Sequence, residues 1–395
     1  MRETYLPPGG KNAFQEIKKK RKEAEAKGIK IINLSIGQPA GSAIYDAMRM
    51  CSEAVLHKER IMHEYQDNDC PACPPFAQRF VQAHVRVDLG KCKDVSFLPT
   101  PGTKPMLPLI MLACGAGDRS KDAISVSGMT KPGYGVPATW AGYLGVNYSA
   151  LRTDIRNQFL FTTRDIQRRT DLVMMNYPHN PTGQISSREY LRKICRYCER
   201  HNIRLFNDAA YAILADDEHY TLTDVAVEFK NLSWAEAFSA SKAGNFTGWR
   251  IGTIAGSPDF VTDIATIKGN TDSGFFAPAA IGILHAFEYA EGRKEIDKVS
   301  AIYKLRRDLL IKTLVNYGMV PAVDPKAGFF CTFKCPQKAF GIRIHDSEQF
   351  NNLMIERTGV LGVPFDPYVR FAVVEDVEAM LPDIENAFAL ANVVS

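Results

Sequence analysis

The sequence predicts an α/β protein, in which helices cover both faces of a mostly parallel sheet and a smaller α+β unit follows. Three observations support this fold class. Short apolar runs alternate with amphipathic helical stretches through the middle of the chain, a pattern typical of βαβ units. A long helical stretch at residues 296–317 then ends the alternation. The chain has 395 residues, enough for two domains at roughly 100–200 residues each.

The chain opens with a helical stretch at residues 14–27, whose basic run at 18–21 we interpret as a solvated face. Candidate strands and helices then alternate as far as residue 289. The expected strands are residues 31–36, 95–98, 123–126, 172–176, 203–207 and 235–239. The clearest helices are expected at residues 105–113, 187–201 and 278–289.

The pattern changes near residues 285–300, where we place a domain boundary. Strands expected at 328–334, 359–361 and 368–374 precede a closing helix at 377–393. The predicted large domain spans residues 46–288. The predicted small domain combines residues 1–45 with 289–395, because the N-terminal stretch is too short to stand alone.

Composition excludes several classes of function. The net charge is only +4, from 48 basic and 44 acidic residues, so we expect no nucleic-acid partner. Apolar runs stay well short of the roughly 18 residues that a membrane span needs. The first residues are polar and rich in Pro and Gly, unlike a signal peptide. We therefore expect a cytoplasmic protein without a membrane partner.

The nine cysteines include two pairs with CxxC spacing, which also occurs in zinc and redox sites. Neither pair, Cys70 with Cys73 or Cys195 with Cys198, has a nearby histidine at the spacing of a zinc finger. On the expected helix at 187–201, Cys195 and Cys198 share one face simply because they are three residues apart. We therefore expect reduced thiols and no metal.

Two polar segments follow expected strands in the first half of the chain, at the sheet edge where ligands bind in α/β proteins. Gly102, Thr103 and Lys104 stand between a strand and a helix, where free backbone N–H groups suit a phosphate. Asn180 lies in a proline-rich loop whose residues are biased to extended conformations, and its amide can donate to an oxygen. A plain turn is the alternative for both segments.

Two further segments carry ionisable groups. Asp208 ends an apolar strand, and a buried acid needs a partner such as a cationic ring nitrogen, unless it caps a helix. Lys242 follows small residues after another strand, and burial would lower its pKa and make the amine a nucleophile. A solvated surface lysine is the alternative. Arg250, eight residues further on, is placed to bind a phosphate.

Taken together, these segments resemble the class I and II aminotransferases of fold type I, the aspartate aminotransferase superfamily, whose cofactor is pyridoxal 5′-phosphate. The most specific matches are Asn180-Pro181-Thr182-Gly183 and Ser239-Ala240-Ser241-Lys242. The matches occur in the order of the family and cover nearly the whole chain. They also include Gly37-Gln38-Pro39, Tyr65, Pro132-Gly133-Tyr134, Tyr211 and Arg370.

The resemblance implies a role for each matching residue. Lys242 would form a Schiff base with the cofactor and carry the Cα proton, and Asp208 would pair with the ring nitrogen. Tyr211 and Asn180 would bond the phenolic oxygen, and Tyr134 would stack on the ring. Arg370 would bind the substrate α-carboxylate, assisted by Gly37 and Asn180. The phosphate would be held by Gly102, Thr103, Lys104, Ser239 and Arg250, and by Tyr65 of the neighbouring subunit in a homodimer with shared sites.

The implied activity is transfer of an amino group between an L-amino acid and a 2-oxo acid, with 2-oxoglutarate as the expected acceptor. The segments 208–211 and 272–275 resemble the LL-diaminopimelate aminotransferase branch. That compound, or another dicarboxylic amino acid, is therefore the expected donor. The groups considered for its side chain are Lys11, Lys104 and the loop at 268–273. A regulator that binds but does not catalyse is disfavoured, because every catalytic position is filled.

The chain departs from the family pattern at residues 70–75, at 243–245 and at Asn207. We place these positions near the substrate entrance. They leave open a second activity, β-elimination or other carbanion chemistry on the same scaffold, because the motifs above serve all of these reactions equally.

Overall fold

The computed structural model describes residues 13–118, 120 and 122–395. Its helices are α1 (Ala13–Ala26), α2 (Tyr45–Val55), α3 (Phe76–Gln82), α4 (Met106–Ala113), α5 (Val136–Leu144), α6 (Arg188–His201), α7 (Leu222–Ala226), α8 (Pro258–Lys268), α9 (Ala277–Glu288), α10 (Ala290–Asn316), α11 (Ser347–Thr358) and α12 (Val377–Ala391). Its strands are β1 (Ile32–Asn33), β2 (Ser96–Thr100), β3 (Ser125–Gly128), β4 (Asn147–Ala150), β5 (Leu172–Met175), β6 (Arg204–Asp208), β7 (Trp234–Ser239), β8 (Gly252–Gly256), β9 (Phe330–Lys334), β10 (Lys338–Ala339), β11 (Ile342–Arg343), β12 (Val360–Leu361), β13 (Val363–Phe365) and β14 (Tyr368–Ala372).

The central sheet has seven strands in the order β2-β8-β7-β6-β5-β3-β4. Its neighbours run parallel except at β8, which is antiparallel to both β2 and β7. The mostly parallel sheet confirms the expected α/β class. Strands β5, β6 and β7 end side by side, so the residues that follow them meet at one edge.

Sequence reasoning missed two strands of this sheet. The residues of β4, Asn-Tyr-Ser-Ala, form no apolar run. Strand β8 begins and ends with glycine, a residue with low strand propensity. Gly252 is needed because β8 lies tightly against β7, where an added Cβ would come within 2.7 Å of the Phe238 carbonyl oxygen.

Helices cover both faces of the sheet, as the sequence predicts. On one face, α4 and α8 pack Ile110 and Phe260 against strand residues such as Phe206. On the other, α6 and α7 pack Leu191 and Val225 against strand residues of the same sheet. Alternate residues of each strand therefore face different hydrophobic clusters, which fixes the direction of every side chain at the strand ends.

The chain after α10 builds a three-stranded antiparallel sheet in the order β13-β14-β9. The N-terminal segment packs against this part of the molecule: Ile32 of β1 lies opposite Val360 of β12, and Ile17 of α1 contacts the cluster containing Ile355. Strand β1 is shorter than the expected 31–36, although Leu34 still donates to the Leu361 carbonyl oxygen at 3.0 Å and accepts the Ala372 N–H at 2.7 Å. The division into two domains stays a prediction.

Within the described residues, no helix combines the length and apolarity that crossing a bilayer requires. All nine cysteines are free thiols. Cys195 and Cys198 are buried on α6, and burial raises the pKa of Cys198 to about 12, so these side chains pack as part of the core. Across residues 13–118, 120 and 122–395, no group of three or more His, Cys, Asp or Glu side chains is arranged to hold a metal ion.

Candidate active site

Asp208 ends β6 at the carboxyl edge of the central sheet. Its side chain is buried, and among the described residues only the Ala210 N–H donates to it, at 3.2 Å. Burial raises the pKa of this carboxyl to about 6, against the opposing effects of the Ala210 hydrogen bond and the charge of Lys242. A buried carboxylate with so few donors is suited to a cationic partner.

Lys242 follows β7 at the same edge and points its amine towards Asp208 and Arg370. The amine donates to the Gly37 carbonyl oxygen at 2.7 Å and lies 5.7 Å from the centroid of the Tyr211 ring. Burial lowers its pKa to about 8, helped by the charges of Arg370 and Arg250 and opposed by Asp208. An appreciable share of the amine is therefore uncharged near neutral pH, as a nucleophile requires.

Arg370 lies in the middle of β14 and is 1% exposed. Its guanidinium donates to the Asn180 Oδ1 atom at 3.0 Å and to the Ser35 carbonyl oxygen at 3.2 Å. The guanidinium carbon sits 4.0 Å from the centroid of the Phe330 ring. Burial lowers the pKa to about 10, which still leaves the group protonated at pH 7. These contacts fix the plane of the fork, as two-pronged carboxylate binding requires.

Asn176 connects the loop after β5 to the end of β6. Its amide donates to the Asp208 carbonyl oxygen at 2.8 Å, and its Oδ1 atom accepts the Asn180 N–H at 3.0 Å. Sequence reasoning did not assign Asn176 a role, although its place directly after a buried strand matches that of Asp208. Ser35 and Phe330 were missed as well, and no local pattern marks either one.

A second corner of the site is formed by the turn before α4 and the residues around Arg250. Gly102 has a φ of +84°, and a Cβ at this position would collide with the Arg250 guanidinium. That guanidinium donates to the carbonyl oxygens of Thr247 at 3.0 Å and Pro101 at 3.3 Å. Thr103 is buried in the turn that leads into α4, and free backbone N–H groups at the start of that helix favour an anion. The side chain of Lys104 is exposed.

Ser239 links this corner to Lys242. It is buried at the end of β7, and its hydroxyl accepts the Ser241 N–H at 3.1 Å. The turn from Ser239 to Lys242 is thereby held in place.

Two tyrosines flank the carboxylate and the amine. Tyr134 lines the same small cavity as Asp208, together with Leu107, Pro137 and Met174. Tyr211 is buried with its ring 5.6 Å from that of Phe330. Burial raises the pKa of both phenols, so both remain protonated donors at neutral pH. Tyr65 is separate from this cluster, and its side chain is 79% exposed.

Two of the three departures from the family pattern do not border this site as expected, whereas Asn245 of the third, which follows Lys242, donates to the Ala40 and Ser42 carbonyl oxygens at 2.9 Å. Asn207 is fully buried on the opposite face of β6 from Asp208. Cys70 and Cys73 belong to the hydrophobic cluster around Phe76, and burial raises the pKa of Cys70 to about 12. The expectation that these three residues lie at a substrate entrance is therefore wrong.

The loop at 268–273 does not offer a free cation to a substrate either. Lys268 is completely buried, and its amine donates to Asp272 at 2.7 Å and to the Asn68 Oδ1 atom at 3.1 Å. Of the other groups considered, Lys104 remains exposed, and Lys11 lies outside the described residues.

The arrangement fits pyridoxal phosphate on three counts. Asp208 is a buried carboxylate that lacks a strong partner, and a ring-nitrogen cation would supply one. The Lys242 amine has the lowered pKa that reaction with an aldehyde requires. Gly102 and Arg250 form a cradle that a side chain at position 102 would fill.

Comparison with known proteins agrees with this site. The model of the family described as aminotransferase class I and II matches residues 29–377. The LL-diaminopimelate aminotransferase 2 of Trichormus variabilis is 28% identical over 389 residues, covering 91% of this chain and 90% of that protein. The LL-diaminopimelate aminotransferase of Methanocaldococcus jannaschii is 29% identical over 374 residues, covering 91% of this chain and 85% of that protein.

Solved structures share the fold over essentially the whole length. Substrate-bound BacF from Bacillus subtilis superposes with a TM-score of 0.81 at 21% identity, covering 100% of this chain and 99% of that one. A double mutant of the aspartate aminotransferase of Thermus thermophilus gives a TM-score of 0.81 at 20% identity, covering 99% of this chain and 100% of that one. The expected fold type is therefore confirmed.

Proposed function

This chain belongs to the class I and II aminotransferases, and on that premise we propose that it moves an amino group from LL-diaminopimelate, or another dicarboxylic amino acid, to 2-oxoglutarate. It is a pyridoxal-phosphate-dependent transaminase. The observation that carries the proposal is the meeting of the Lys242 amine, the buried Asp208 carboxylate and the buried Arg370 fork at one sheet edge. The choice of donor is supported by the names of the relatives.

When bound, pyridoxal phosphate supplies an electron sink for the negative charge that develops at the substrate Cα. Asp208 keeps a proton on the ring nitrogen, because a buried carboxylate stabilises the cation beside it. Tyr211 and Asn180 donate towards the phenolic oxygen. Arg250, Gly102, Thr103 and Ser239 bind the phosphate.

Arg370 and Lys242 then control the geometry of proton transfer. Arg370 would bind the α-carboxylate with its fixed fork, and this contact would set the orientation of the bonds at the substrate Cα. The substrate Cα–H bond would thereby face Lys242, whose amine, when neutral, would accept the proton. Holding donor and acceptor in one site makes this step effectively intramolecular.

An amino-donor screen with 2-oxoglutarate tests the proposal. We expect glutamate to form in step with loss of LL-diaminopimelate, and the matched Lys242→Ala variant to form none. Release of ammonia and a 2-oxo acid without any added acceptor would contradict transamination and favour β-elimination. The segment that motivated elimination contains Cys70 and Cys73, which lie in the core, so no contact at the site favours that activity.

We further propose a homodimer in which Tyr65 of one protomer reaches the phosphate bound by its partner. Tyr65 is 79% exposed, although its loop is firmly held. The Gln66 and Asp67 N–H groups donate to the Ser273 carbonyl oxygen at 3.1 and 3.0 Å, and Lys268 bonds the same two segments. A rigid loop that presents an exposed aromatic side chain is suited to completing a neighbouring site.

Complementation between two inactive variants tests the shared site. Lys242→Ala and Tyr65→Ala damage different positions, so mixing the unfolded chains and refolding them should yield hybrid dimers with one intact site and recovered activity. Light scattering should report twice the chain mass of 44.0 kDa. A monomer, or a mixture no more active than its two components, would contradict the proposal.

A further inference from the structure

Asn207 forms an unusual clamp on the main chain of the loop after β5. Its Oδ1 atom accepts the Tyr177 N–H at 2.9 Å, and its amide donates to the Tyr177 carbonyl oxygen, also at 2.9 Å. The pairing of β5 with β6 ends with Met175 opposite Asn207. The Asn207 side chain therefore continues that pairing by two residues, where the following Pro178 has no N–H to offer.

Glu236 fixes the orientation of this clamp from the neighbouring strand. Its Oε1 atom accepts from the Asn207 amide at 2.7 Å and from the Leu222 N–H at 2.9 Å. Its Oε2 atom accepts from the Thr223 N–H at 2.6 Å and from the Thr223 hydroxyl at 2.7 Å. Because both Glu236 oxygens act as acceptors, the Asn207 amide must turn its NH2 group towards them. A flipped Asn207 amide would place its oxygen against the carboxylate instead.

The clamped loop leads directly to the substrate-binding residues. Asn180 lies three residues after Tyr177, and its Oδ1 atom receives the Arg370 guanidinium at 3.0 Å. Tyr177 is itself immobilised, because its side chain is fully buried and its hydroxyl donates to the Phe159 carbonyl oxygen at 2.8 Å. Movement of the Tyr177 peptide would therefore be passed to Asn180 and change the direction of the Arg370 fork.

We propose that Asn207 and Glu236 are positioning residues, which hold the loop at 176–180 and through Asn180 set the direction of Arg370 towards the substrate carboxylate. This inference rests on the proposed function, in which Arg370 binds that carboxylate. It also gives a role to Asn207, which departs from the family pattern although it contacts Tyr177 and Glu236 and faces away from Asp208.

Substitution of Asn207 by Ala tests the inference, with L-glutamate as the amino donor. We expect Asn207→Ala to raise the KM for L-glutamate about tenfold, equivalent to about 1.4 kcal/mol, and to change the dissociation constant of the cofactor much less, since Asn180 is only one of several residues assigned to cofactor binding. In an Asn180→Ala background, the same substitution should change this KM by less than about twofold, because the connecting side chain is gone. Glu236→Gln should also raise the KM for L-glutamate, by less than Asn207→Ala does. It provides the test if Asn207→Ala folds poorly.

Asn351→Ala is the matched control, because Asn351 is also buried and accepts a backbone N–H, that of Gly362 at 2.8 Å, away from the site. It should lower the melting temperature without changing the KM. An Asn207 effect that is equal in both backgrounds, or a fall in melting temperature without a change in KM, would overturn the inference. Arg370→Lys is measured in parallel. An unchanged KM in Arg370→Lys would contradict the proposed function itself. A raised KM there together with an unchanged KM in Asn207→Ala would contradict only the positioning role of Asn207.

Discussion

Two buried carboxylates lie in the neighbouring strands β6 and β7 and face opposite sides of the central sheet. Asp208 ends β6 and faces the cavity lined by Tyr134. Glu236 lies in β7, opposite Asn207 in the register of the sheet, and faces away from the cavity. Burial is the main cause of a raised pKa in both, to about 6 for Asp208 and about 7 for Glu236.

The difference between them lies in their hydrogen bonds. Glu236 accepts four hydrogen bonds from Asn207, Leu222 and Thr223, whereas Asp208 accepts one from Ala210 among the described residues. A perturbed pKa therefore does not by itself distinguish a functional acid from a structural one. Unused acceptor capacity beside a cavity does, because such a carboxylate is left to bind something else.

Among the proposed variants, Lys242→Ala should cause the largest loss of activity. Lys242 lies on the side of the central sheet that Asp208 faces. The variant lacks both the nucleophile and the proton carrier, so we expect turnover to fall on the order of 10⁴-fold or more. The yellow absorbance of the lysine-bound cofactor should disappear as well. Lys312→Ala, which removes one of the exposed lysines of α10, is the matched control and should leave both properties unchanged. Retained turnover in Lys242→Ala would contradict placing the active site on the side of the sheet that Asp208 faces.

Asp208→Asn is expected to come next. The substitution keeps the shape but removes the charge that holds a proton on the ring nitrogen. Turnover should fall by about 10²–10³-fold, the range typical for losing one preorganised electrostatic partner. The free energy of unfolding of the cofactor-free protein should fall little, or rise, because the carboxylate lies there with a single donor. A large loss of stability with unchanged turnover would show that Asp208 resembles Glu236 after all.

Arg370→Lys changes the substrate side of the same face. A lysine keeps the charge but loses the planar fork. We expect the KM for the amino acid to rise by about tenfold to a hundredfold, the range for one or two lost charged hydrogen bonds. The dissociation constant of the cofactor should change much less. An equal loss in both constants would mean that Arg370 mainly supports the fold.

The pH dependence of cofactor uptake reports on Lys242. The amine reacts only when uncharged, and its lowered pKa of about 8 leaves about a tenth of it neutral at pH 7. Uptake of pyridoxal phosphate by the cofactor-free protein should therefore accelerate with rising pH and level off above about pH 8. Stopped-flow absorbance measures this rate. A midpoint near the ordinary lysine value of 10.5 would contradict the buried environment.

The sequence was sufficient to predict the residues at the carboxyl edge of the sheet. An apolar run that ends in Asp208, or in Ser239–Lys242, indicates both the strand and the polar residues at its carboxyl end. It was insufficient where the decisive partner is remote. Phe330 contacts Arg370 from the neighbouring strand β9 and Ser35 from the opposite end of the chain, and no local pattern predicts such contacts.

Asn207 shows a different limit of sequence reasoning. Its departure from the family pattern predicts a place near the substrate entrance, but consecutive strand residues point to opposite faces, so Asn207 faces away from Asp208. The partners of Asn207 are therefore Tyr177 and Glu236. Strand β8 was missed for a related reason, since its terminal glycines follow from close packing against β7 and not from an apolar pattern.

Glu236→Gln gives the smallest expected effect on activity, a rise in KM of a few fold at most, and its main readout is stability. A carboxyl with a folded pKa of about 7, above its ordinary 4.5, contributes stability that is present below about pH 4.5 and lost as pH rises to about 7. Glutamine does not titrate, so the stability of the wild type relative to the variant should fall over this window.

Urea unfolding at pH 4.5, 6 and 7.5 measures that difference, which we expect to change by on the order of 3 kcal/mol. The direction of this change with pH is decisive, because burial favours the neutral form of Glu236 whereas its four donors favour the ionised form. A difference that stays constant with pH would mean that the donors fully offset burial. Glu236 would then titrate near its ordinary pKa and be ionised at neutral pH, and Asp208 would be the only one of the two carboxylates whose charge is left for a ligand to stabilise.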